Sequence, residues 1–150
     1  MTEGNPPLDL YDEEWPIFTR SRSLPPARCP SATIENSIVA EGSILKRAQI
    51  RHSIIGLRSF VEEGAVVEDT VVMGFDYYEA SSATVKGVAR GIGRNCSIRG
   101  AILDKNVRVG DGSRIVNANK VLSAQGDNYT IKDGIVIIHK NAVLDPGTVI

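Results

Sequence analysis

The chain has 150 residues, 42% of them hydrophobic and only 5% aromatic, with 17 basic and 18 acidic side chains for a net charge of −1. That length holds one domain with a continuous core. The charge balance argues against a nucleic-acid or anionic-membrane binder, and no apolar run approaches the ~20 residues of a membrane span.

Residues 1–30 come first and read as a unit. They hold six of the seven prolines, the acidic run Asp12-Glu13-Glu14, and the rings of Tyr11, Trp15 and Phe18. Proline removes a donor and keeps the chain extended, so this stretch predicts a strap lying along the rest of the protein and tied down by its aromatics. It lacks the basic and apolar regions of a signal peptide, so a soluble, intracellular protein is expected. Cys29 and Cys96 form no CxxC and have no histidine nearby in sequence. They read as reduced thiols, with no metal site.

From residue 31 to 150 the aliphatic residues return every sixth position. Ile38, Ile44 and Ile50 begin the pattern; Ile54, Phe60, Val66 and Val72 continue it beside Ile55, Val61, Val67 and Met73; Ser53, Ser59 and Ala65 form a row of small residues. Leu103, Val109, Ile115 and Val121 repeat the interval, as do Ile131, Ile137, Val143 and Val149. Neither a helical face nor an alternating strand has this period. A six-residue repeat is the signature of a parallel β-helix, in which each hexad supplies a short strand and a corner and about 18 residues make one coil. The fold class expected is therefore all-β, a hexapeptide-repeat solenoid over 31–150 with the 1–30 strap.

Two interruptions break the period, at 75–91 and 118–130. They gather Phe75, Tyr77, Tyr78 and Tyr129, as a bore too narrow for rings requires; Phe60 alone among the aromatics falls on a repeat position. Asn36, Asn95, Asn106 and Asn117 at the hexad corners are expected to hold left-handed turns, and Gly42, Gly64, Gly110, Gly112 and Gly147 likewise. Arg51, Arg58, Arg90, Arg94, Arg99, Arg108 and Arg114 are expected on the solvated outer face.

The strings "HSIIGLRS", "VVMGFDYYE", "GIGRNCSI", "AILDKNVRVG" and the terminal "GTVI", with "LDLYDEEWPIFTRSRSLPPARC" before them, resemble the carboxy-terminal domain of the ADP-glucose pyrophosphorylase (glucose-1-phosphate adenylyltransferase) family and the linker leading into it. The resemblance implies a left-handed β-helix with a regulatory and subunit-contact role in making ADP-glucose for glycogen or starch. In that family the chemistry resides in a separate amino-terminal nucleotidyltransferase domain. No glycine-rich nucleotide loop followed by a basic residue, and no paired aspartates in a metal-binding context, occur here. No catalytic residue, metal or cofactor is therefore expected of this chain. Its expected partners are other copies of itself or nucleotidyltransferase-domain subunits, in the cytoplasm or, in a plant, the plastid.

The resemblance also implies a site for a phosphorylated effector. Lys140, in "IIHKNAV", matches one of the family's activator lysines. In "IVNANK", Ala118 stands where the second is usual and Lys120 follows two residues later. Lys120 and Lys140 are thus the candidate phosphate ligands, on the argument that stacked coils bring residues about one coil apart together. The family's helix-bearing insertion is shortened here to "ASSATVKGVAR", and no well-formed helix is expected in it.

Two other classes compete. A hexapeptide-repeat acyltransferase needs a histidine base, for which His52 and His139 are the only candidates, and nothing nearby in sequence supplies either with an orienting group. A purely structural solenoid would associate through exposed strand edges.

Overall fold

The structure, a computed structural model, describes residues 10, 12–80 and 83–150. Tyr11, assigned above to the strap's anchoring, lies outside them. The described chain contains nineteen short strands and no helix.

The strands wind into five coils. The first three are β1 (Thr33–Glu35), β2 (Ile38–Val39) and β3 (Ile44–Leu45); β4 (Gln49–Arg51), β5 (Ile54–Ile55) and β6 (Phe60–Val61); then β7 (Val66–Glu68), β8 (Val71–Val72), the hairpin strands β9 (Thr84–Val85) and β10 (Val88–Ala89), and β11 (Gly91–Ile92). The fourth is β12 (Ser97–Arg99), β13 (Ala101–Leu103) and β14 (Arg108–Val109). The fifth is β15 (Arg114–Ile115), β16 (Ser123–Gln125), β17 (Tyr129–Lys132), β18 (Ile135–Ile138) and β19 (Val143–Leu144).

Three sheets form the solenoid, and the β9–β10 hairpin makes a separate two-stranded sheet. Sheet one is β1-β4-β7-β12-β15, sheet two is β2-β5-β8-β13-β18 extended by β17 and β16, and sheet three is β3-β6-β11-β14-β19. The pairs are parallel except for β9 with β10, β16 with β17 and β17 with β18. The cross-section is a triangle. We call the turn from sheet one to sheet two the first corner, that from two to three the second, and that from three back to one the third.

The bore is filled by one column per sheet. Ile50, Val67, Ile98 and Ile115 stack in sheet one, Ile55, Val72, Leu103 and Ile138 in sheet two, and Leu45, Val61, Ile92, Val109 and Leu144 in sheet three. All are buried. Each contributes about 1.5–3 kcal/mol by leaving water, and branched side chains fit the pleat.

The strict six-residue rows need a correction. From Ile50 to Ile55, and from Val67 to Val72, the step is five residues, because the first corner is one residue short. Val72 therefore fills the bore, while Met73 is 43% exposed. Ile138 and Leu144 likewise take the inward places expected of Ile137 and Val143, and Val149 is exposed. Phe60 faces away from the bore, under the Arg90 guanidinium, 3.5 Å from the ring centroid.

The small residues sit at the corners, where they replace side-chain bulk with hydrogen bonds. Ser37 Oγ accepts from Ser53 N (3.0 Å), and Ser53 Oγ accepts from Thr70 N (3.1 Å). Asn36, Asn95, Asn106 and Asn117 all have positive φ. Gly110 does not; there a Cβ would lie 2.4 Å from Pro146 N, so the close approach of the next coil excludes a side chain.

The strap also differs from expectation. Trp15 and Phe18 are 80% and 91% exposed and tie nothing down. Backbone bonds do this instead: Gly42 N donates to Pro25 O, and Arg28 exchanges bonds with Ser43 and Leu45. Proline can take this role because its carbonyl still accepts.

Candidate functional site

At the second corner two lysines converge on one carboxylate. At Asn106 (φ 63°) and Asn141 (φ 62°) the chain turns from sheet two to sheet three in the left-handed conformation that asparagine tolerates. Each follows a lysine. Asn141 N donates to Lys105 O at 2.9 Å, so Lys105-Asn106 and Lys140-Asn141 are the same corner in successive coils.

Above them passes the start of the first excursion, which leaves sheet two after β8. Gly74 O accepts from Asn106 N (3.0 Å). Asp76 then takes a central position: its Oδ1 is 3.6 Å from Lys105 Nζ and its Oδ2 is 3.5 Å from Lys140 Nζ. Asn106 clasps the same residue, donating Nδ2–H to Oδ2 at 3.0 Å and accepting from Asp76 N at 2.9 Å. It also donates to Asn141 Oδ1 at 3.0 Å. The Asn106 hydrogen bond, aided by the Lys140 and Lys105 ammonium groups, holds the Asp76 carboxyl below the usual carboxylate range against the opposing effect of partial burial.

The corner continues on both sides. Arg58 donates to Phe75 O at 3.2 Å and lies 5.6 Å from the Tyr78 ring centroid. A cavity of about 240 Å³ opens beside the asparagines, lined by Tyr77, Glu79, Asn106, Arg108, Asn141 and Val143 among others. Its floor is not the solvated arginine face expected from sequence. Arg108 is 4% exposed, pairs with Glu79 and donates to Val88 O. Arg90, also expected in solvent, bonds Glu79 O and covers Phe60. Both arginines hold the first excursion against the solenoid. A second cavity, about 270 Å³, lies between that excursion's hairpin and the third corner, near Glu62, Arg94 and Asp111.

The two lysines singled out in the sequence are not neighbours. Lys140 is at the second corner, whereas Lys120 (φ 51°) follows Asn117 at the first, its N–H bonded to Asn117 O. Sheet two, the length of β18, lies between them. The stacking argument holds, but it selects Lys105 as the companion of Lys140. The signal was in the sequence as the repeated Lys-Asn dipeptide; the role of Asp76, carried by an excursion without a period, was not.

The histidines also differ from expectation. His52 does have an orienting group: its Nδ1 is 2.7 Å from Asp69 Oδ1, one coil along the first corner. Both side chains are half exposed, and neither lines the cavities described here. His139 Nε2 is 2.9 Å from Thr130 Oγ1, within the sheet-two extension. Cys29 and Cys96 are free, and burial pushes both thiols up. Among the described residues no group of three or more His, Cys, Asp or Glu side chains could hold a metal ion.

A protein-family model described as the GLGC left-handed parallel beta-helix domain matches residues 22–149. The glucose-1-phosphate adenylyltransferase small subunit, chloroplastic/amyloplastic, of Triticum aestivum is 44% identical over 152 aligned residues, covering 97% of this chain. The chain spans 32% of the length of that relative. Three parallel sheets around an aliphatic bore, the corner asparagines and the match over nearly all of the solenoid agree: the chain belongs to the GLGC left-handed parallel β-helix domain family.

Proposed function

We propose that the chain serves as the non-catalytic, regulatory and subunit-contact β-helix of a glucose-1-phosphate adenylyltransferase, in the synthesis of ADP-glucose for glycogen or starch. The observation that carries this reading is the collinear likeness to an adenylyltransferase subunit over almost the whole chain. The solenoid supplies surface, not chemistry: its core is aliphatic, and its second corner suits a phosphorylated effector at Lys140, whereas Lys120, the other candidate ligand, stands across sheet two at the first corner. Its partners are further copies of the chain and subunits bearing the nucleotidyltransferase domain. The compartment is the cytoplasm, or the plastid that the wheat relative's name gives for that protein.

The test is reconstitution. The purified chain should form no ADP-glucose from glucose 1-phosphate and ATP. When it is mixed with a separately produced nucleotidyltransferase domain of a relative, the two should co-elute, and turnover should become responsive to a phosphorylated three-carbon acid. Turnover by the chain alone, or no association and no response in the mixture, contradicts the reading.

One observation favours a second reading, acyl transfer: the His52–Asp69 pair. A base needs a substrate cavity as well as an orienting group, and this pair stands half exposed on a corner. Acyl transfer abolished by His52→Ala would establish it.

A further inference from the structure

We propose that the cavity between the β9–β10 hairpin and the third corner binds a small zwitterion, an α-amino acid with a short aliphatic side chain. Its carboxylate pairs with Arg94 and its ammonium with Asp111. The site shares no residue with the Lys105, Asp76 and Lys140 cluster, and it goes beyond the effector reading.

Two of the four charged side chains lining this cavity are already engaged: Glu62 pairs with Lys46 at 2.8 Å, and Arg90 bonds Glu79 O and covers Phe60. The other two are a cation and an anion still open to a ligand. Among the described residues the Arg94 guanidinium has no hydrogen-bond or ion-pair partner, and Asp111 has no cationic side chain beside it; its Oδ1 accepts instead from the Arg94 backbone N–H at 2.8 Å. Gly112 N donates to Arg94 O at 2.8 Å, so Arg94 and Asp111 hold the same place at the third corner in successive coils. Asn95 N donates to Glu63 O and Gly64 N to Arg47 O, which puts Glu63 and Arg47 at that place in the two coils before. There the ion pair is closed, with Arg47 Nη1 2.7 Å from Glu63 Oε1. At Arg94 and Asp111 it is open, and the cavity lies beside it.

The open pair sets the class of ligand. Neighbouring strands are ~4.8 Å apart, so opposite charges on successive coils suit a ligand whose own two charges stand close together. In an α-amino acid one carbon carries both. A guanidinium takes the carboxylate through two parallel hydrogen bonds, and the Asp111 carboxylate accepts from the ammonium. A ligand with one charge alone satisfies one side chain and is repelled by the other. The floor allows close approach, because Gly93 and Gly110 stand where the flanking coils carry Glu62 and Asp145. A Cβ at Gly93 would lie 2.5 Å from Asp111 Oδ1, so the carboxylate reaches over that glycine. Val88, Ala89 and Pro146 supply apolar walls for the side chain. At about 270 Å³ the space falls below the roughly 300–1,000 Å³ of sites for drug-sized ligands, which keeps that side chain short.

The experiment is an amide chemical-shift titration of the full chain with L-valine at neutral pH and low ionic strength. The comparison probes are 3-methylbutanoate and isobutylamine, which keep the carboxylate and the ammonium of valine respectively. It is run on the wild type, Arg94→Gln, Asp111→Asn and Arg47→Gln. Asp111→Asn keeps an acceptor for the Arg94 N–H, and all three residues are exposed, so each variant folds. We expect saturable shifts at 87–90, 93–95 and 109–112, in the millimolar range because exposed ion pairs are weak. Loss of either partner, by Arg94→Gln or Asp111→Asn, should weaken valine about five-fold, and each single-charge probe should bind the wild type about as much more weakly. Arg47→Gln, at the closed pair, should match the wild type. Valine binding that is equalled by 3-methylbutanoate or isobutylamine, or untouched by both Arg94→Gln and Asp111→Asn, overturns the proposal. So do shifts that fail to saturate, or that fall outside these segments.

Discussion

The two excursions interrupt the same repeat, yet they are built in opposite ways. The first, between β8 and β11, stays beside the solenoid and is held by charge: Arg108 to Glu79, Arg90 over Phe60, and Asp76 between Lys105 and Lys140. The second, between β15 and β18, joins sheet two. Its antiparallel strands β16 and β17 continue the ladder, and Ile131, with Ala124 and Tyr129, packs on the bore cluster. A β-helix must cover its open end or leave apolar side chains and strand edges in water. An excursion at the last coil meets that requirement with apolar contacts; one at a middle coil finds only the polar outer corners, and it brings charged groups there.

Four perturbations sharpen this contrast, in decreasing order of expected effect. Ile131 is 5% exposed in the cap, and Ile131→Ala should cost about 2–4 kcal/mol in denaturant unfolding, as core truncations do. Glu79→Ala leaves the buried Arg108 without its carboxylate. Because Glu79 is itself one-third exposed, the loss should be about 1–3 kcal/mol, below that of a fully buried pair. Arg90→Ala removes the cation over Phe60 and should cost about 1 kcal/mol in the same assay. If the charged excursion proves more sensitive than the cap, the contrast is wrong.

The smallest effect is one of pH. Asp76 has its folded pKa lowered, so its contribution to stability is fully present above its unfolded value of about 3.9 and is lost as pH falls through the folded value. The difference in stability between wild type and Asp76→Asn should accordingly shrink on acidification below about pH 4. A difference that is constant between pH 7 and pH 2 would remove Asp76 from the network.

Much of the solenoid was legible because bore and corner impose different residue types at a fixed interval. Ile55, Val61 and Val67 announced the bore, and Asn36, Asn95, Asn106 and Asn117 announced the turns. The phase was harder to read. Each strand carries adjacent aliphatics, such as Ile54 and Ile55, of which one faces inward, and a corner shortened by one residue moves the inward place from the Met73 row to Val72. The excursions have no period, so neither the cap nor the burial of Arg108 could be read from spacing. The strap misled for a related reason: Trp15 and Phe18 look like anchors because rings usually seek burial, but the attachment runs through backbone carbonyls that any sequence possesses. At the candidate site, Lys140 was found by likeness and Lys120 by proximity along the chain. Lys105 required the coil register.

That register, bringing Lys105 and Lys140 onto one carboxylate, is the point on which the site stands or falls. The most direct test is a carboxyl-carbon NMR titration of Asp76 in the wild type, Lys105→Ala, Lys140→Ala and Lys120→Ala. In the wild type Asp76 should titrate below the ordinary carboxylate range; either Lys105→Ala or Lys140→Ala should raise its pKa, and Lys120→Ala should leave it unchanged. An Asp76 that titrates as an ordinary carboxylate and ignores both Lys105 and Lys140 would contradict the account.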